Sequence, residues 1–127
     1  MMKRLLFLMV MAALSVSGVM AQAVIKFEKT NHDFGKFKES QKMHYAFVFT
    51  NTGDRPLIIH QAFASCGCTV VNPPRDPIAP GKKGTIAVTY DGKGRFPGLI
   101  KKAITVRSNA ANAMVRIYIE GNMVADA

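Results

Sequence analysis

The chain has 127 residues, with 17 Lys and Arg against 8 Asp and Glu, three His, two Cys and no Trp. That length holds one domain of ordinary size. A hydrophobic share of 49% with 20% charged residues sets aside wholesale disorder and fibrous architecture.

The first segment reads as an export leader. Met1-Met2-Lys3-Arg4 is a positive head, Leu5 to Leu14 carries no polar side chain, and Val19-Met20-Ala21-Gln22-Ala23 is a small-residue exit. This order predicts a signal peptide over residues 1–21, cut after Ala21 or alternatively after Ala23, and a single domain over 22–127. The apolar stretch falls short of the roughly 20 residues that a bilayer span requires, so no transmembrane segment is expected in the mature chain. No Cys lies near the exit to take a lipid anchor. Losing Lys3 and Arg4 with the leader lowers the net charge from +9 to +7, and only Met43, Met114 and Met123 remain of eight methionines. A methionine-rich metal protein is thereby set aside. The leader encodes exit from the cytoplasm and leaves periplasm, cell surface and medium open. Both Cys enter a compartment that favours disulfides.

The remainder alternates with a period of two, as half-buried strands do. Val24–Phe27 and Phe34–Phe37 are short strands. Met43, Tyr45, Phe47 and Phe49 form an inward set, with His44 on the outward phase. Asn51-Thr52-Gly53-Asp54-Arg55-Pro56 is a reversal built from turn-forming residues, in which Gly53, Asp54 and Pro56 are structural. Leu57, Ile59 and Phe63 form the next inward set, with His60 outward; pairing across the Asn51–Pro56 turn would set Phe47 opposite His60. Ile86, Val88 and Tyr90 follow the Pro80-Gly81 turn. Ile104 and Val106, then Val115, Ile117 and Ile119, complete the pattern. No window sustains a 3.6-residue apolar stripe. About seven short strands predict an all-β fold, an immunoglobulin-like antiparallel sandwich, with an open barrel as the alternative.

His32-Asp33-Phe34-Gly35, Asn51-Thr52-Gly53-Asp54 with Pro56-Leu57, Ser65-Cys66-Gly67-Cys68-Thr69, Ile78-Ala79-Pro80-Gly81 and Ser108-Asn109 occur in this order. That pattern resembles the bacterial domain-of-unknown-function family numbered 1573 and, more distantly, Hydin-type and PapD-like immunoglobulin modules. The resemblance spans nearly all of residues 24–124, and Cys-Gly-Cys is its most specific part. It implies an immunoglobulin-like sandwich in exported bacterial proteins, often from the Bacteroidetes. It implies no established activity and no catalytic residues.

Cys66-Gly67-Cys68 is the one chemically unusual motif, and three readings stay open. The two Cys close a small disulfide ring, helped by the backbone freedom of Gly67, which strain would make redox-active. As paired thiolates they take Cu(I) or Zn(II), with His60 the added ligand. Or they simply pin a loop. His32-Asp33 is read as a turn held by side-chain-to-backbone hydrogen bonds.

No G-x-S-x-G elbow, H-E-x-x-H pair, phosphate loop or carboxylate pair is present, so no catalytic residue and no cofactor is assigned. Eight bases after residue 81 stand against Asp91, Glu120 and Asp126. They suit an anionic envelope surface, or simply solubility, and export argues against nucleic acid. The expected function is a non-enzymatic binding or scaffold module that meets another envelope protein through a sheet edge or loop face. The alternative is thiol–disulfide or metal handling at Cys66 and Cys68. Oligomeric state is not encoded legibly.

Overall fold

A computed structural model of the chain describes residues 21–126. The leader assigned to residues 1–21 lies outside them except for Ala21. Eight strands and no helix are present among the described residues: β1 (Ile25–Phe27), β2 (Asn31–Lys38), β3 (Met43–Asn51), β4 (Ile59–Ala64), β5 (Thr69–Asn72), β6 (Lys83–Tyr90), β7 (Gly98–Ser108) and β8 (Met114–Val124). They form two four-stranded sheets, ordered β1-β3-β6-β5 and β2-β8-β7-β4. The immunoglobulin-like sandwich expected from the alternation is what forms.

The core lies between the sheets and comes from the predicted inward phases. Phe47, Phe49, Ile86, Val88, Tyr90, Ile104, Val106, Ile117 and Ile119 are all buried. Pairing of β3 with β6 sets Phe47 opposite Ile86 and Tyr45 opposite Val88, so one sheet's inner face is continuous. Burial of side chains of this size, each worth about 1.5–3 kcal/mol, is the main force holding the layers together.

Three details differ from the sequence reading. The β2–β8 pair is parallel, because the chain passes from β1 to β2 through Glu28–Thr30 and changes sheet without reversing. β3 and β4 do not form a hairpin: β3 pairs with β1 and β6, and β4 pairs with β7, so Phe47 does not face His60. The Asn51–Pro56 segment instead carries the chain across the sandwich, and the Leu57–Ile78 bridge catches it on arrival. Finally, Phe63 is 37% exposed while Ala62 and Ala64 pack on the core. A register shift between Ile59 and Gln61 inverts the phase after Ile59, and strict alternation cannot foresee a bulge.

Asn51 is the junction of this architecture. It is fully buried. Its Nδ2 donates to the Arg55 carbonyl at 2.7 Å and to the Ile78 carbonyl at 2.9 Å. Its Oδ1 accepts from Gly53 N–H at 3.0 Å and Val24 N–H at 3.3 Å. One side chain thus ties the segment before β1, the crossing segment and the β5–β6 loop.

His32 sits at the rim between the sheets. Its ring stacks on Tyr45 at 3.7 Å, and Phe34 meets it edge-on at 4.8 Å. The neighbouring Asp33, read from the sequence as part of a turn, lies within β2, where it accepts Gly35 N–H at 2.8 Å at the register shift between Asp33 and Lys36. Desolvation by burial, aided by the Lys29 charge and opposed by Asp33, holds the His32 pKa below its ordinary 6.5. The unfolded chain therefore binds this proton more readily. Neutral His32 contributes its full stability above that ordinary value, and the contribution is lost as pH falls below it toward the lower folded value. Urea unfolding should show wild type losing stability relative to His32→Phe between pH 7 and pH 5; parallel profiles would contradict this.

Candidate functional site

β4 is the edge of its sheet and is fixed at both ends. Before it, Asn109 in the β7–β8 turn accepts Ile58 N–H at 2.8 Å and donates through Nδ2 to the Pro56 carbonyl at 3.1 Å. The Asn109 backbone N–H donates back to the Ile58 carbonyl at 3.1 Å. After β4, a disulfide joins Cys66 to Cys68 with Cα atoms 5.2 Å apart, inside the ordinary range for a bridge. Thr69 N–H donates to the Cys66 carbonyl at 3.2 Å, and Asp91 N–H to the Cys68 carbonyl at 2.8 Å. Cys68 is buried against the core and Cys66 is half-buried.

Between these anchors β4 pairs with β7 on one side only. Its sequence, Ile-His-Gln-Ala-Phe-Ala, holds no Lys, Arg, Asp, Glu or Pro. Natural edges are usually blunted by such residues, and the other long edge, β2, carries Asp33, Lys36 and Lys38. Ile58, Phe63 and Met114 are large exposed apolar groups beside or on β4. The Arg107 guanidinium lies 5.9 Å from the Phe63 ring centre. A shallow hollow nearby is lined by His60, Gln61, Arg107, Ser108, Ala113 and Met114, with no carboxylate among them. The surface is suited to main-chain pairing with an extended segment bearing apolar and acidic side chains.

The disulfide takes up both candidate thiolates, and His60 stands apart from it on β4. Among the described residues no group of three or more His, Cys, Asp and Glu is placed to hold a metal ion. Gly67 does not supply the special backbone expected of it: its φ lies outside the left-handed region, and an added Cβ would meet open space. Closing a ring this small removes little chain entropy, worth about 1.5 kcal/mol by the loop-length relation. Reduction should therefore leave the sandwich folded and lower Tm by roughly 5–10 °C, read by circular dichroism. Loss of folded signal on reduction would contradict this.

Ala79-Pro80-Gly81-Lys82 closes through Lys82 N–H to the Ala79 carbonyl at 3.0 Å, with Gly81 at φ 78°. Those values make a type II turn, whose third residue needs positive φ. Asp54 accepts Gln22 N–H at 2.8 Å, and its own N–H donates to the Gln22 carbonyl at 3.0 Å. A Cβ on Gly53 would overlap the Gln22 carbonyl oxygen and come within 2.6 Å of Val24 N. His44 bonds Thr89 Oγ1 at 2.9 Å across the outer face of the other sheet, remote from β4.

Residues 25–123 match a family model described as a protein of unknown function, DUF1573. The chain belongs to this family. No curated protein matches it. Among solved structures, this DUF1573 chain is similar to a protein of unknown function from Porphyromonas gingivalis W83, at TM-score 0.70 and 20% identity, over 84% of this chain and 50% of that one. It thus spans about half the length of that relative. It is similar to an ASH/PapD-like domain of human CEP192, at TM-score 0.66 and 9% identity, over 88% of this chain and 94% of that one. It is also similar to the periplasmic chaperone SfaE, at TM-score 0.56 and 16% identity, over 81% of this chain and 58% of that one. At these identities the likeness is one of fold, and that fold is PapD-like.

Asn51 and Asn109 escaped the sequence reading as positioning residues. Asn51 had a signal: it lies on the same odd-numbered phase as Phe47 and Phe49, so a polar side chain was due to face the core and demand partners. Asn109 had none beyond its place in the family pattern.

Proposed function

We propose that the mature protein is an exported, non-enzymatic binding module that captures an extended segment of another envelope protein along β4. The observation that carries this reading is an uncharged edge strand, anchored at both ends, that pairs with β7 on one side and has no strand on the other. The PapD-like fold, which periplasmic chaperones share, supports it. No helix among the described residues is long and apolar enough to cross a membrane. A photo-crosslinking residue at Phe63, introduced in the native host, should trap a discrete protein adduct. The same group at Thr85, exposed on the other sheet, should not. Adducts of equal yield from both positions, or none from Phe63, would overturn the proposal.

Export carries its own prediction. Gln22 and Ala23 are built into the fold: Ala23 is buried, and its carbonyl accepts Ala111 N–H at 2.8 Å. Cutting after Ala21 keeps these contacts and sets the new Gln22 ammonium on the Asp54 carboxylate, whereas cutting after Ala23 discards them. Intact mass of the exported protein should place the N-terminus at Gln22, as glutamine or its cyclised lactam. A start at Val24 would refute that cut, and a retained leader would refute cleavage.

A further inference from the structure

Between β6 and β7 the chain projects a tip that the proposed β4 function does not use. Phe96 is 95% exposed and Leu99 87%, the highest values among the exposed large apolar residues described. The tip rises from a fixed base. The Asp91 carboxylate accepts Lys93 N–H at 3.1 Å, and the Glu39 carboxylate accepts Gly94 N–H at 3.1 Å. Arg95 N–H donates to the Gly92 carbonyl at 2.9 Å. Gly92 packs closely on the Met123 and Tyr90 side chains, and an added Cβ would have to push the Met123 thioether aside. Gly94 at φ 79° and Gly98 at φ 139° bend the backbone on either side of Phe96.

Along the tip's own segment the charge has one sign. From Gly92 to Lys102 the chain holds Lys93, Arg95, Lys101 and Lys102 and no acid. The acids nearby are engaged: Asp91 and Glu39 cap backbone N–H groups at the base, Asp91 also approaches Lys42 at 4.0 Å, and Glu120 lies opposite Lys101 across β7–β8. Leu99 and Lys101 share the wall of an open hollow with Lys36, Asp33 and Glu120.

We propose that this tip docks on an anionic phospholipid bilayer, with Phe96 and Leu99 entering the head-group boundary and Lys93 and Arg95 meeting lipid phosphates. Area favours lipid over a protein partner. A stable protein interface buries about 800 Å² on each side, and two side chains on a narrow loop supply far less. A fluid bilayer accepts two apolar groups without a matching surface, and anionic lipid complements the flanking cations.

The chain has no Trp, so Phe96→Trp makes a sole tryptophan reporter at the tip, excited selectively over the three Tyr. Its emission should shift to the blue with vesicles of phosphatidylglycerol and phosphatidylcholine, and high salt should reverse the shift. In co-sedimentation with the same vesicles, the mature Phe96→Ser/Leu99→Ser protein should bind about tenfold or more weaker than wild type. Lys93→Gln/Arg95→Gln should lose about fivefold per base. Circular dichroism of each variant reports the fold, which exposed tip residues should leave unchanged. Emission that ignores vesicles, an equal shift on pure phosphatidylcholine, or variants that bind as wild type does would overturn the proposal. So would a tip that crosslinks to a protein while the wild type ignores anionic vesicles.

Discussion

Asn51→Ala should lower the free energy of unfolding by about 3–5 kcal/mol. The substitution leaves the Arg55 carbonyl and the N–H groups of Val24 and Gly53 without their partner, while the Ile78 carbonyl keeps the Leu57 N–H. A net hydrogen bond is worth about 0.5–1.5 kcal/mol, and a buried group left unpaired costs about 1–3 kcal/mol. Entry of water at the rim would relieve part of that, which keeps the sum below three full penalties. Against a whole-domain stability of about 5–15 kcal/mol the loss is large. Urea unfolding followed by circular dichroism measures it, and a change below about 1 kcal/mol would remove Asn51 from its place as the junction.

Gly53→Ala should cost about 2–4 kcal/mol, although it adds a single methyl group on a surface turn. The new Cβ meets backbone atoms of Gln22, Ala23 and Val24, and no rotamer change moves those aside. The segment before β1 has to lift, and with it go the Ala23 burial, the Thr52 N–H bond to the Val24 carbonyl and the Gln22–Asp54 exchange. Because Asn51 holds the same segment through Val24, the two substitutions act on one latch. The double variant should lose clearly less than the sum of the singles, as contacting sites do. Strict additivity in the same urea assay would show two separate effects.

The sandwich was legible because burial leaves a period-two trace: Phe47, Phe49, Ile86, Val88, Ile117 and Ile119 all lie on the inward phase read from the chain. Sheet membership leaves no such trace. Nothing in the alternation of β3 and β4 distinguishes a hairpin from a crossing, and the difference rests on hydrogen bonds made by Asn51 to residues distant in sequence. The bulge at Ile59–Gln61 is likewise invisible, since one extra residue turns Phe63 outward without altering composition.

The candidate site was half legible. Cys66-Gly67-Cys68 stood out by residue type, and it proves to be the clamp at the end of β4. The open edge itself depends on strand order, which local sequence does not encode. Phe96 and Leu99 resisted notice for a related reason: an apolar residue in a turn-rich segment reads as buried until the fold shows that nothing covers it.

The most direct measurement is backbone amide exchange along β4, in the free protein and in the complex trapped through Phe63. An open edge has alternate N–H groups without a partner, so the free strand should contain fast-exchanging positions between slow ones. Capture of an extended segment should slow those same positions by at least an order of magnitude while β3 and β6 stay as they were. Unchanged exchange along β4, with new protection on another surface of the sandwich, would contradict the account.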